Sequence, residues 1–148
     1  MSKILLIAIL IGFLSPSGLV YALDQDKVAI ETILLEGRSE SLKGQTAIGE
    51  VIRNRSKQGH GLINDVCLAP YQFSCWNSLE TAKKALKGVS GEEYQIASKA
   101  WNESENTTYS NGATHYIAKK RLKHLPRWIK AMEETGIIGN HTFYRESW

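Results

Sequence analysis

The chain has 148 residues, enough for one domain and too few for two of ordinary size. Its 18 basic and 15 acidic residues give a net charge of +3, a small excess that does not point to nucleic acid but favours approach to an anionic polymer. Two cysteines and four histidines, with no HxxxH or CxxC spacing among them, make no zinc pattern, and nothing else in the sequence calls for a cofactor.

The N-terminus reads as a secretory signal peptide. Lys3 precedes the apolar run Ile4 to Leu14, then comes the break "SPSG", then "VYA" ending at Ala22. The run is too short for an ordinary membrane span. Cleavage after Ala22 makes residues 1–22 the signal and 23–148 the mature domain; an uncleaved anchor is the alternative. Both place the domain outside the cytoplasmic membrane, in the periplasm or cell wall, touching the membrane only through this segment.

A first helix is expected from Asp24 or Asp26, where acids suit a helix N-terminus. Val28, Ala29, Ile30, Ile33 and Leu34 form its apolar stripe, and Gly37 ends it. A second helix covers Lys43 to Gln58, with Ala47, Ile48, Val51 and Ile52 facing the core and Arg53, Arg55 and Lys57 near its C-terminus. Gly59 to Gly61 break it, and a loop with Pro70 and both cysteines follows. Further helices are expected over Ser78–Lys87 and Glu92–Asn102. "NESENTTYSNG" (Asn102 to Gly112) reads as a loop, and Ala113 to Ala118 as a strand. "RWIKAMEETG" reads as one or two helical turns, and Asn140 to Glu146 as a final strand. The sum is a mainly helical α+β domain with a small sheet.

Two sites compete for the chemistry. Ala29, Ile33 and Glu36 fall at i, i+4 and i+7, so Glu36 continues the buried stripe at the helix end. A desolvated carboxyl is suited to protonate a glycosidic oxygen. A core Glu paired with Arg38, Arg53 or a backbone amide is the alternative. Glu40 lies one turn further on, as a second acid of the site or as surface charge. Glu50 is expected to be exposed. The other site is Cys75, between Ser74 and Trp76, which with His115 or His141 as base has the order of a cysteine peptidase. Against that, two cysteines in an exported chain suggest a Cys67–Cys75 disulfide, whose short loop would contribute about 2–3 kcal/mol.

Taken together, these stretches resemble the SleB/CwlJ-type cell-wall hydrolases. "ILLEGRSESLKGQTAIGEVIRNR" (Ile33 to Arg55) is similar to the family's opening Glu-x-Arg-x-Glu block, matched by Glu36, Arg38, Glu40, Gly44, Gln45, Ala47, Asn54 and Arg55. Gln72, Phe73, Ser74 and Trp76 match the second block. Gly112, Ala113, Tyr116 and Trp128 match the third. Gly139, Asn140, His141 and Phe143 match the last. No block is specific alone; the four in order span about Ala29 to Arg145. The chain departs from the family where Gly-Glu-Ala becomes Leu35-Glu36-Gly37, and where "IAKKR" replaces an Asn-Pro continuation.

The resemblance implies a monomeric lysozyme-like domain acting on peptidoglycan glycan strands between N-acetylmuramic acid and N-acetylglucosamine. It implies lytic transglycosylase chemistry with Glu36 as the single acid/base, supported by Arg38 and Glu40. Gln72, Ser74, Trp76, His115, Tyr116, Trp128 and His141 become candidate sugar contacts, and Cys75 is not needed for the chemistry. A wall-binding module without activity, suggested by the altered neighbours of Glu36, remains the non-enzymatic alternative.

Overall fold

The computed structural model describes residues 16–147, and for residues 16–24 and Arg121 the backbone alone. The apolar run Ile4–Leu14 of the expected signal segment lies outside the described residues. Among the described residues there are five α-helices: α1 (Pro16–Gly37), α2 (Leu42–Lys57), α3 (Ile63–Leu68), α4 (Leu79–Lys87) and α5 (Gly91–Glu103). Three strands follow: β1 (His115–Ile117), β2 (Met132–Ile138) and β3 (His141–Glu146). The architecture is the expected α+β one, mostly helical with one small antiparallel sheet.

The central element is α2. Its residues from Gly44 through Ile52 are all buried. Ser41 caps it, accepting the Gly44 N–H at 3.3 Å and satisfying a donor that the helix start leaves open. Ala29, Ile33 and Leu34 of α1 join Ile48 and Ile52 of α2, Val66 and Cys67 of α3, and Ala97, Ala100 and Trp101 of α5 in one apolar cluster. Gly49 lets α2 approach the end of α5, since a Cβ there would stand 2.9 Å from that of Ser104. Beside it, Arg53 closes the C-terminus of α5: its Nε donates to Ser104 Oγ at 2.9 Å, and its guanidinium lies 3.7 Å from the Trp101 ring centroid.

The sheet has the order β1-β3-β2, both pairings antiparallel. The middle strand β3 is buried from His141 to Tyr144. Phe143 projects into a second apolar cluster with Ala47, Val51 and Ala113, which joins the sheet to α2. The end of α2 fastens the same junction: Asn54 Nδ2 donates to Ala113 O at 2.9 Å, and Arg55 Nε to Thr114 O at 2.6 Å. Glu50, expected to be exposed, is only 3% exposed. It accepts from Thr107 Oγ1 at 2.6 Å, the Tyr109 N–H at 2.9 Å and the Ser110 N–H at 2.7 Å, and so anchors the polar loop after α5. That loop supplies the donors that make burial of a carboxylate tolerable, and they lie some sixty residues away in sequence.

Three element boundaries correct the sequence reading. The first helix is already formed at Pro16, the first described residue, ahead of the expected Asp24 or Asp26. It therefore runs through the expected cleavage point. A short helix, α3, replaces part of the cysteine loop, and Asp65 accepts the Leu62 N–H at its start. The stretch expected to give helical turns splits: Arg127–Ala131 is a 3-10 turn, and Met132 onwards is a strand. Helix formers there are overridden by pairing with β3, which places Glu133 against Arg145 and Glu134 against Tyr144. Among the described residues no helix is long and apolar enough to cross a membrane.

Candidate active site

Glu36 ends the apolar stripe of α1, as the spacing predicts. It is half-buried, where helix α1 gives way to a turn. Gly37 lets this end lie on α2: a Cβ at that position would come within 2.6 Å of Ile48 Cδ1. The carboxylate meets two other parts of the fold. Its Oε1 accepts the Cys75 N–H at 3.1 Å and the Ser74 hydroxyl at 3.5 Å, and its Oε2 accepts the Tyr116 hydroxyl at 3.2 Å. Burial first, and the neighbouring Glu36 carboxylate second, push the Tyr116 phenol well above its ordinary range, so it remains a donor. Its ring is held edge-on to His141 at 4.9 Å and tilted against Phe143 at 5.7 Å.

Two cavities meet at Glu36. One, of about 360 Å³, is bounded by Leu35 of α1, by Arg38 and Glu40 just after it, by Glu93 of α5 and by Ala118, Asn140 and His141 from the sheet side. The other, of about 580 Å³, is bounded by Tyr71 to Ser74, by Arg55, by His115 to Ile117, and by Leu122, Pro126 and Trp128. Both are of the size that ligand sites have. The acid thus has open space on either side and fixed donors behind it. A polymer lying along both cavities would pass over this carboxylate.

Most of the sequence-predicted residues gather here. Gln72, Ser74, His115, Tyr116 and Trp128 line the larger cavity, and His141 the smaller. Burial first, and then the nearby Arg55 guanidinium, lower His115 to about 4, so it is a neutral group in the neutral range. Its ring lies 5.2 Å from Trp128, and Thr114 Oγ1 is 3.0 Å from its Nδ1.

Trp76, an expected sugar contact, stands apart from the residues that line the cavities at Glu36. Its indole N–H donates to Thr32 Oγ1 at 2.8 Å, and its ring packs on the helical core, which pins the Ser74–Trp76 turn to α1. A buried indole needs such an acceptor, and α1 supplies it.

Arg38 and Glu40, the expected supporting residues, both border the smaller cavity. Arg38 turns to α5, donating to Glu93 Oε2 at 2.9 Å and to Gly88 O at 2.8 Å. Glu40 has a side chain only 4% exposed. It accepts from Asn140 Nδ2 at 2.8 Å and from the Asn140 N–H at 3.2 Å, and lies 3.7 Å from His141 Nδ1. Gly139, at φ +57°, is the only kind of residue that fits beside it, because any Cβ would fall on the Glu40 carboxylate. Glu40 therefore seats the β2–β3 turn, the turn orients His141, and His141 backs Tyr116.

The cysteines do not form the expected bridge. Both are free thiols, Cys67 fully buried on α3 and Cys75 half-buried in the turn against α1. Burial pushes the Cys67 thiol up to about 11. Cys75 is raised further, by burial first and then by the negative charge of Glu36. A nucleophilic cysteine needs its thiolate stabilised, and here a carboxylate opposes it. Among the described residues no group of three or more His, Cys, Asp and Glu is placed to hold a metal ion.

Two site features were not read from the sequence. Arg55 walls the larger cavity although its helix face suggested only dipole compensation. Tyr71 stands at the cavity's edge; the Pro70–Tyr71 pair was the available signal, as a turn dipeptide.

The fold is similar to two solved structures. The catalytic domain of the Bacillus cereus SleB protein matches with a TM-score of 0.66 and 20% identity, over 83% of this chain and 91% of that one. The catalytic domain of the germination-specific lytic transglycosylase SleB from Bacillus anthracis matches with a TM-score of 0.66 and 21% identity, over 82% of this chain and 94% of that one. At such identity the likeness establishes the fold. No curated protein matches the chain. The family profile described as Cell Wall Hydrolase matches residues 39–144, beginning just past Glu36, so the standing of Glu36 rests on its geometry. From the turn after α1 to the last strand, then, the chain is a member of the cell wall hydrolase family.

Proposed function

We propose that this protein cleaves peptidoglycan glycan strands between N-acetylmuramic acid and N-acetylglucosamine, with Glu36 as the one acid/base. The observation that carries the reading is the placement of Glu36 at the meeting of two cavities, with three donors on its carboxylate. Glu36 in its acid form gives its proton to the glycosidic oxygen as the bond from the muramic acid C1 breaks. The carboxylate that forms is stabilised by the Cys75 N–H, the Ser74 hydroxyl and the Tyr116 hydroxyl, all aimed at it beforehand. It then takes the proton of that sugar's own C6 hydroxyl as O6 bonds to C1. The product is a 1,6-anhydro ring, no water is consumed, and Glu36 is returned to its starting form. The engagement of Glu40 with Asn140 supports a one-carboxylate mechanism, since hydrolysis by a pair needs a second acid free to act.

Purified protein is incubated with peptidoglycan as wild type, Glu36→Gln and Cys75→Ser. Anhydro-muropeptides from wild type and Cys75→Ser, with none from Glu36→Gln, are the expected result. Reducing-end products without anhydro sugars would keep Glu36 but remove the cyclisation step. Released peptide stems with an inactive Cys75→Ser would overturn the reading in favour of a peptidase. Sedimentation with the wall and no soluble product would favour a binding module.

The protein then works as an exported monomer in the periplasm or cell wall, with residues 1–22 as its signal. Mass spectrometry of the exported form is expected to find Leu23 at its N-terminus; an intact Met1 would mean the segment is kept as an anchor.

A further inference from the structure

Tyr71 is the most exposed large apolar residue among the described ones, at 88%. Its backbone is in the left-handed region, φ +62°. The Gln72 N–H donates to Ala69 O at 3.2 Å, so residues 69–72 close a β-turn with Pro70 and Tyr71 at its centre. Turns of this kind take Pro first and Gly or Asn second, because the second position needs positive φ. Tyr71 is a poor choice on both counts. Its Cβ is strained there, and its ring lies in water rather than in a core. The fold gains nothing visible from either cost, and such strain gathers at ligand sites.

The position of the turn supplies the ligand. Tyr71 borders the larger cavity beside Glu36 on one side. On the other it borders a separate hollow of about 270 Å³ formed with Leu68, Pro70, Trp76 and Asn77. It is the ridge between the two. We infer that Tyr71 is a stacking platform for a sugar ring, and that a glycan strand leaving the larger cavity continues across it into the hollow. Sugar rings present a flat C–H face to such a ring, and the phenol hydroxyl adds a polar contact at the rim. Trp76, which holds Thr32 with its polar edge, gives the hollow an apolar wall. This rests on the glycan reading above and adds a binding position beyond the two cavities at Glu36.

The test compares wild type, Tyr71→Phe and Tyr71→Asn on long glycan strands and on a tetrasaccharide. For Tyr71→Asn, KM on long strands is expected to rise about tenfold with kcat little changed, while KM for the tetrasaccharide, which ends within the cavities at Glu36, rises clearly less. Tyr71→Phe is expected to keep most of the affinity. The melting temperature of Tyr71→Asn should equal or exceed that of wild type, because Asn tolerates positive φ. An unmoved KM on long strands, equal losses on both substrates, or a fall in melting temperature that parallels the loss would each overturn the inference. Failure of the wild type to cut either substrate would sink the glycan reading and this inference with it. Cleavage with an unmoved KM would sink this inference alone.

Discussion

Tyr116→Phe removes one oxygen from the site and leaves the packing in place. The ring keeps its contacts with His141 and Phe143, at 4.9 and 5.7 Å between centroids. What is lost is the 3.2 Å hydrogen bond to Glu36 Oε2. The carboxylate gains its negative charge as the glycosidic oxygen takes the proton, so that bond strengthens on the way to the transition state. A hydrogen bond to a charged group contributes about 1.5–3 kcal/mol. Placed wholly in the transition state, this is about 10- to 150-fold in kcat, with KM nearly unchanged. Initial rates of soluble muropeptide release over a range of substrate concentrations measure both constants. Thermal unfolding of the variant should match wild type within a few degrees. A kcat within twofold of wild type would refute the idea that Tyr116 stabilises the developing charge, and a raised KM alone would make it a sugar contact instead.

Glu50→Leu leaves the N–H groups of Tyr109 and Ser110 facing an apolar group, while Thr107 keeps Glu103 O as acceptor, and is expected to cost about 2–5 kcal/mol in urea unfolding; a loss below about 1 kcal/mol would mean that the loop simply re-forms around water. His115 is held at about 4 in the folded chain, below its ordinary 6.5. Between those values the unfolded chain binds a proton that the folded one refuses, so stability rises with pH over that range. His115→Gln should flatten that part of the stability curve, and a parallel curve would show that His115 does not carry it.

The elements most legible in the sequence were those whose stripes face one core. Helix α2 was placed within a residue at each end, because Ala47, Ile48, Val51 and Ile52 repeat with helical period. Strand β2 was misread, since Met132, Glu133 and Glu134 are good helix formers and their strand state comes from β3 alongside. Glu50 was misplaced for the same reason. A carboxylate on a helix is exposed by default, and only a distant loop carries the donors that let it be buried.

The sequence by itself determined the acid at the end of the first stripe, the α+β class and the family resemblance, because helical period and motif order are written along the chain. It could not decide what surrounds that acid. Glu36 draws its donors from residues 38 to 80 positions away, and Glu40 its partner from 100 positions away. Whether a carboxyl is an ion-paired core residue or an acid between two cavities depends on which distant groups folding brings to it. The tertiary structure decided that, and it also turned Trp76 toward the core and left Tyr71 on the ridge.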